Sequence, residues 1–133
     1  MKFTTAKEVK TWLRGLALLK KDLEMKSMFY ADLMRDSRYL GDAGKKHEEY
    51  YQAQIARLQE KMKFLAADIE RVLDTLDPDE KAVLTARYIR RLMWDAMEFH
   101  IYYSRRQAIR IHDRAIEKLV GQEVDMHGYS GEY

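Results

Sequence analysis

The chain has 133 residues, 47% of them hydrophobic, which is enough to bury the core of one domain or of a small domain with a helical extension. Its 24 Lys and Arg against 22 Asp and Glu give a formal charge of +2, so net charge alone does not indicate nucleic-acid binding. The absence of Cys excludes disulfides and Cys-ligated zinc. The chain also lacks a signal peptide's apolar stretch and any apolar run near the ~20 residues that cross a bilayer. We therefore expect a cytoplasmic protein with no membrane partner.

The first predicted helix begins at a capping box formed by Thr5 and Glu8. Its apolar face then recurs at helical spacing through Val9, Trp12, Leu16, Leu19 and Leu23. We predict that the helix ends near Asp36 and that residues 37–44, which include two glycines, form a turn.

A second long helix is predicted from about Lys45, because apolar residues alternate four and three apart over more than three heptads. They are Tyr51, Ile55, Leu58, Met62, Leu65, Ile69, Val72 and Leu76. Such a stripe is typical of a coiled-coil seam and needs a partner helix. One alternative is the first helix, folded back as an antiparallel hairpin over residues 1–75. The other is a second subunit in a homodimer, and the two arrangements do not exclude each other.

Asp77, Pro78 and Glu80 predict the start of a third helix, with a cap, proline at the first helical position and a capping box. Its apolar face consists of Val83, Leu84 and Tyr88. After a connection at residues 90–92, the spacing of Trp94, Met97 and Ile101 predicts a helix of about two to three turns.

The last helix is predicted to follow a turn at Tyr102 and Tyr103, with Ser104 as its N-cap and Gly121 as its stop signal. A stripe for burial is formed by Ala108, Ile111, Ala115 and Leu119. Long side chains that can donate hydrogen bonds lie in the first two turns, on a face away from that stripe. They are Arg105, Arg106, Gln107 and Arg110. Arg can bond guanine and Gln can bond adenine in the major groove. The basic charge alone favours a solvated helix face, but together with the cap, the aromatic turn and the preceding helices the pattern favours DNA recognition.

The pattern from Leu76 to Leu119 resembles region 4 of the sigma-70 family. It carries Leu76, Pro78, Glu80, Val83, Leu84, Arg87 and Tyr88, then Trp94 and Met97, then Tyr103, Ser104, Arg105, Ala115, Ile116 and Leu119. More narrowly, Arg87-Tyr88-Ile89, Trp94 and Tyr103-Ser104-Arg105 are similar to phage and prophage regulators of the RinA/ArpU type. This resemblance covers about a third of the chain. It implies a helix-turn-helix that binds double-stranded DNA and activates late or packaging genes in a bacterial host.

Carried over to this chain, the resemblance makes Ser104 the start of the recognition helix. Its groove-facing residues are then Arg105, Arg106, Gln107 and Arg110, and its core side is Ile111, Ala115 and Leu119. Farther along, Arg114 and Lys118 are expected to contact phosphates. Two positions depart from the family: Glu98 stands where a small Ala is usual, and Tyr102 stands where many relatives have Gly. Burying Glu98 at a helix crossing would be costly, so we expect a wider crossing or one that uses Ala96.

The sequence therefore predicts an all-α protein: a helical hairpin over residues 1–75 for assembly or interaction, a sigma-like DNA-binding unit over residues 76–121, and a mobile acidic tail over residues 122–133. No catalytic, cofactor or metal site is predicted, since His47, His100, His112 and His127 lack ligand spacing. Glu48 and Glu49 are interpreted as a solvated first turn, and Asp77, Asp79 and Glu80 as a helix cap. Two alternative functions are a small-terminase-like DNA-recognition subunit and an adaptor whose basic helix contacts an acidic partner such as RNA polymerase.

Overall fold

The computed structural model describes residues 1–36 and 41–124. The all-α prediction is confirmed, because every regular element in these two ranges is a helix. The long helices α1 and α2 precede three shorter ones. They are α1 (Ala6–Asp36), α2 (Gly41–Leu73), α3 (Pro78–Leu84), α4 (Met97–His100) and α5 (Arg105–Leu119). A π-helical turn, Thr85–Ile89, continues α3, and a 3₁₀ turn, Trp94–Ala96, leads into α4.

The helices α1 and α2 lie side by side in opposite directions. Near one end the Gln52 side chain donates to the Tyr30 hydroxyl (2.8 Å), and farther along Leu16 and Ala66 line one cavity. Every residue of the predicted stripe on α2 is buried or half-buried. Within this chain, the seam of α2 therefore packs on α1.

The start of α2 differs from the prediction. The helix begins at Gly41, four residues before Lys45, so residues 41–44 are helical where a turn was expected. Gly41 has a φ of +57°, a left-handed conformation in which glycine has no steric penalty. Asp42 in the first turn favours the positive end of the helix dipole, which helps the helix to start early. The remainder of the predicted turn, residues 37–40, lies outside the described residues.

The helix formed by α3 and its π-helical turn ends at the predicted connection, residues 90–92. In the π-helical turn, the amide of Arg90 donates to the carbonyl of Thr85 (2.9 Å), five residues back. Arg91 then adopts a φ of +57°, which a non-glycine residue rarely takes, and the chain turns toward α4. The Arg87 guanidinium fastens this turn by donating to the Leu92 carbonyl (3.0 Å).

One hydrophobic core joins the two parts of the chain that the sequence separates at residues 75 and 76. Its buried members come from α1, α2, α3, the π-helical turn and α5, and include Val9, Trp12, Leu65, Ile69, Leu84, Tyr88, Ile116 and Leu119. A smaller cluster of Ala86, Met97 and Ala108 holds α4 against α5. The predicted boundary is therefore not a break in the packing.

The chain after α5 returns to the first residues of the protein. Gly121 ends the helix as predicted, with a φ of +82°, and its amide donates to the Phe3 carbonyl (2.7 Å). The amide of Val124 donates to the Met1 carbonyl (2.6 Å), and the Val124 side chain is only 1% exposed. The predicted mobile tail is therefore wrong for residues 122–124, because Val124 belongs to the core. Residues 125–133, with His127, lie outside the described residues.

Among the helices described, none is both long enough and apolar enough to span a membrane.

Candidate nucleic-acid interface

The start of α5 is fixed by the capping box that the sequence predicts. The Ser104 hydroxyl accepts from the amide of Gln107 (3.2 Å), and the Gln107 side-chain oxygen accepts from the amide of Ser104 (3.0 Å). Ser104 itself keeps an extended backbone, with ψ at 162°. Gln107 is exposed and serves the cap through its side-chain oxygen.

The inner face of α5 is buried as predicted, since Ala108, Ile111, Ala115 and Leu119 are all in the core. His112 and Ile116 are buried beside them, at 5% and 2% exposure. Burial of His112 was not expected, and it widens the inner face toward α1 and the π-helical turn. A helix held along this whole face presents its other side in one orientation.

The outer face of the first two turns carries the predicted arginines. Arg106 and Arg110 are exposed, and neither forms an ion pair with any residue in the described ranges. Arg105 is exposed as well, and its guanidinium pairs with Asp95 (3.0 Å). Because Asp95 is itself 82% exposed, this pair is accessible to solvent and to a competing anion.

The two departures from the resembling family both face solvent. Glu98 is exposed, and its carboxylate accepts from the amide of Arg105 (3.3 Å) at the start of α5. The close contact of α4 with α5 instead uses Met97 and Ala108, so no charge is buried at the crossing. Tyr102 is fully exposed in the turn before Ser104.

The second half of α5 carries an ionic cluster that the sequence interpretation missed. Glu80 at the start of α3 is 0% exposed, and its two carboxylate oxygens accept from Arg114 Nε (2.9 Å) and Lys118 Nζ (2.8 Å). Arg114 also pairs with Asp79 (2.5 Å), and Lys118 pairs with Asp77 (3.0 Å). Both cations expected at phosphates are thus bound to carboxylates of the chain itself.

The sequence interpretation of Asp77, Asp79 and Glu80 as a cap did not include their ion pairs with α5. The predicted capping box is present, and within it the amide of Asp77 donates to the Glu80 carboxylate (3.1 Å). The signal in the sequence was the match between three acids on one helix start and two cations spaced i,i+4 on another. Such a match becomes visible only if α3 and α5 are known to touch.

The cluster changes the proton affinity of its carboxyls. Burial by itself would raise the pKa of the Glu80 carboxyl, but hydrogen bonds from Lys118 and Arg114 outweigh it and hold the pKa below its ordinary value. For Asp79, burial again opposes the change, and the Arg114 hydrogen bond lowers the pKa. The Glu80 side chain is therefore ionised, and the two cations that face it compensate its charge.

The same three carboxyls form the group with metal-binding potential in the described residues. One oxygen from each of Asp77, Asp79 and Glu80 lies within 4.8 Å of the others. Arg114 and Lys118 already donate to these oxygens, so a cation would have to displace them. The arrangement satisfies an ion-pair cluster and gives no independent indication of a metal.

Comparison of the chain with protein-family models, with characterised proteins and with solved structures found no match.

Proposed function

We propose that the chain is a sequence-specific DNA-binding regulator of transcription. In this proposal residues 76–121 act as a sigma-region-4-like helix-turn-helix unit whose recognition helix is α5, and residues 1–75 act as a helical hairpin. The resemblance described above supports the narrower role of activating phage or prophage late genes in the cytoplasm of a bacterial host. It also supports RNA polymerase as a further partner.

The observation that carries the proposal is the exposed outer face at the start of α5. Arg106 and Arg110 project from a helix whose inner face is buried and whose first turn is capped. Exposed guanidinium groups on a rigid helix suit bidentate hydrogen bonds to guanine, because the planar guanidinium loses little conformational freedom when it binds. Arg105 and Gln107 adjoin this face, and phosphate would compete with Asp95 for Arg105.

The ion pairs divide the seven proposed residues into two groups. Ser104, Arg105, Arg106, Gln107 and Arg110 form the groove-facing group at the start of α5. Arg114 and Lys118 hold α5 on α3 through Glu80, so their contribution to DNA binding is to position the helix. Any direct phosphate contact by these two cations would have to compete with that carboxylate.

Selection from a random DNA pool, followed by titration of variants, tests this proposal. We expect Arg106→Ala and Arg110→Ala each to lose about 1 to 3 kcal/mol on the selected site and little on random DNA. The matched control is Arg57→Ala, which removes an exposed guanidinium from α2. It should change neither affinity. Equal losses on selected and random DNA would reject base readout by these arginines.

A second candidate function is a protein-interaction adaptor, and two exposed aromatic residues favour it. Phe99 in α4 and Tyr102 in the turn before α5 are 85% and 104% exposed, and they could add apolar contacts to the basic face. An adaptor would stay folded yet bind no DNA at low salt. A pull-down with purified RNA polymerase tests this function. Binding by the wild-type protein that is lost in the double variant Phe99→Ser, Tyr102→Ser would identify the polymerase as the adaptor's partner.

A further inference from the structure

A small polar pocket opens where α1, α5 and the π-helical turn meet. It has a volume of about 230 Å³. Three cationic side chains line it, Lys10 and Arg14 from α1 and Arg87 from the π-helical turn. The sequence interpretation assigned none of these residues to a site, because Arg87 lies more than 70 positions from Lys10 and Arg14 and meets them only through packing.

Within the described residues, positive charge in this pocket is only partly compensated. In the described ranges, Lys10, Arg14 and Arg87 form no ion pair. The one carboxylate in the lining, Asp113, accepts from His112 Nδ1 (2.9 Å). Three cations and one carboxylate leave an excess of two positive charges around a small cavity. Such like charges repel one another, and a bound anion would relieve the repulsion.

The floor of the pocket is polar but internally satisfied. The Tyr88 hydroxyl lies 2.8 Å from His112 Nε2, and both residues are 5% exposed. A neutral His112 satisfies the whole network if Nδ1 donates to Asp113 and Nε2 accepts from Tyr88. Burial lowers the pKa of His112, and the neighbouring Lys10 and Arg87 act in the same direction, which favours this neutral form. The hydrogen bonds of the floor therefore do not involve the three cations.

One cation is already held in position. The Arg87 guanidinium lies over the Trp94 ring, 4.7 Å from its centroid, while one of its nitrogens donates to the Leu92 carbonyl. A guanidinium fixed on two sides loses little freedom when an oxyanion binds its remaining N–H groups. Lys10 and Arg14, one helical turn apart on α1, can supply further donors from the opposite wall.

We propose that this pocket binds a phosphate group, and that in a DNA complex the group is a backbone phosphate beside α5. This proposal rests on the proposed function for its DNA source and on the pocket alone for its chemistry. Ile109 and Asp113 line the pocket, each three residues from an exposed arginine of the outer face, Arg106 and Arg110. The pocket and that face are therefore one helical turn apart on α5. The first helix thereby becomes part of the DNA-binding surface.

The first experiment measures the pocket without DNA. Inorganic phosphate is titrated at constant ionic strength while NMR follows the Trp94 indole N–H and the His112 ring. We expect saturable shifts in the wild-type protein and at least about tenfold weaker binding in Lys10→Gln with Arg14→Gln, since two charged donors are lost. The matched control, Lys45→Gln with Lys46→Gln, removes two exposed charges from α2 and should bind phosphate like the wild type.

The second experiment measures DNA affinity at several salt concentrations with the same variants. Losing one phosphate contact should make the slope of log affinity against log salt less negative by about 0.9, equally on selected and random DNA. Arg14→Gln alone, at an exposed position, gives a milder variant whose far-UV circular dichroism should match the wild type. The α2 control variant should keep the wild-type slope.

The outcomes separate the two proposals. If phosphate binding is lost in the α1 variant while DNA affinity and its salt slope are unchanged, the pocket stands and its ligand is a free phosphorylated molecule. If phosphate titrates normally but the folded protein binds no DNA, the pocket again stands and the proposed function fails. Absence of phosphate-dependent shifts at Trp94 and His112, or equal affinity in the α1 variant and the control, overturns the phosphate site.

Discussion

The two halves of α5 carry the same kinds of basic side chain, yet the structure treats them differently. In the first half, Arg106 and Arg110 are exposed and form no ion pair within the described part of the chain. In the second half, Arg114 and Lys118 bind a carboxylate that has no access to solvent. A basic helix is therefore not one uniform surface, because some of its charged side chains bind carboxylates of the fold and others remain exposed.

The difference follows from what each half faces. The second half of α5 lies against the start of α3, where Glu80 would be costly to bury without cations. The first half of α5 lies near α4 and an exposed turn. Among the described residues there, Asp95 is the one carboxylate that forms an ion pair with this half of α5, through Arg105. Three experiments test this division, in order of the expected change in stability.

The largest effect is expected from Arg114→Met with Lys118→Met. This change leaves Glu80 buried without its cations, so the free energy of unfolding should fall by about 3 kcal/mol, the lower end for a broken buried pair, because both cations are about half exposed. Urea unfolding followed by circular dichroism measures the loss. Arg106→Met with Arg110→Met is the matched control and should change stability by no more than about 0.5 kcal/mol per site. Similar losses in the two variants would contradict the division of α5.

An acid titration tests the same cluster through Glu80. Hydrogen bonds from the two cations overcome the effect of burial and hold its pKa below the ordinary value of 4.5, so as pH falls the unfolded chain takes up this proton before the folded chain does. The stabilisation is therefore complete well above pH 4.5 and is lost progressively below it. We expect urea unfolding of Glu80→Gln to depend less on pH in this acidic range than unfolding of the wild type.

The control for this titration is Glu117→Gln, which removes an exposed carboxylate from the outer face of α5. Its pH dependence should follow that of the wild type. If the Glu80 and Glu117 variants show the same dependence, the cluster does not contribute to acid stability.

A smaller effect is expected at the cap of the first half. Ser104→Ala removes the hydroxyl that accepts from the Gln107 amide, and the loss should be about 1 kcal/mol of unfolding free energy. Thermal unfolding measures it, with Ser104→Asp as the matched variant that restores a capping oxygen. An unchanged melting temperature in Ser104→Ala would show that packing alone fixes the start of α5.

The same cap gives Gln107 two tasks. Its oxygen closes the capping box, so Gln107→Ala would affect both the first turn and any base contact. Arg106 and Arg110 lack this double role in the described structure. They are therefore the cleaner positions at which to measure DNA readout.

Local signals in the sequence determined most of the secondary structure. Capping oxygens, Pro78 and helical spacing act over three or four residues, so the starts of α3 and α5 and the buried faces of α2 and α5 could be predicted. The early start of α2 and the packing of residues 122–124 against the core could not be predicted in this way. At the start of α2, the glycines favour a turn, but Asp42 and the helix dipole favour a helix. In residues 122–124, the acidic composition favours a mobile tail, but burial of Val124 holds the segment on the core.

Tertiary structure alone decided which of the basic residues are available to a ligand. Arg114 and Lys118 meet Glu80 across 34 and 38 residues of sequence, and Lys10 and Arg14 meet Arg87 across more than 70. Periodicity gives the face on which a charge lies, but it carries no information about which charge on another helix will stand opposite. That pairing is set by the shared core, which brings α1, α3 and α5 together and so leaves some cations paired and others without an ion pair to any residue in the described ranges.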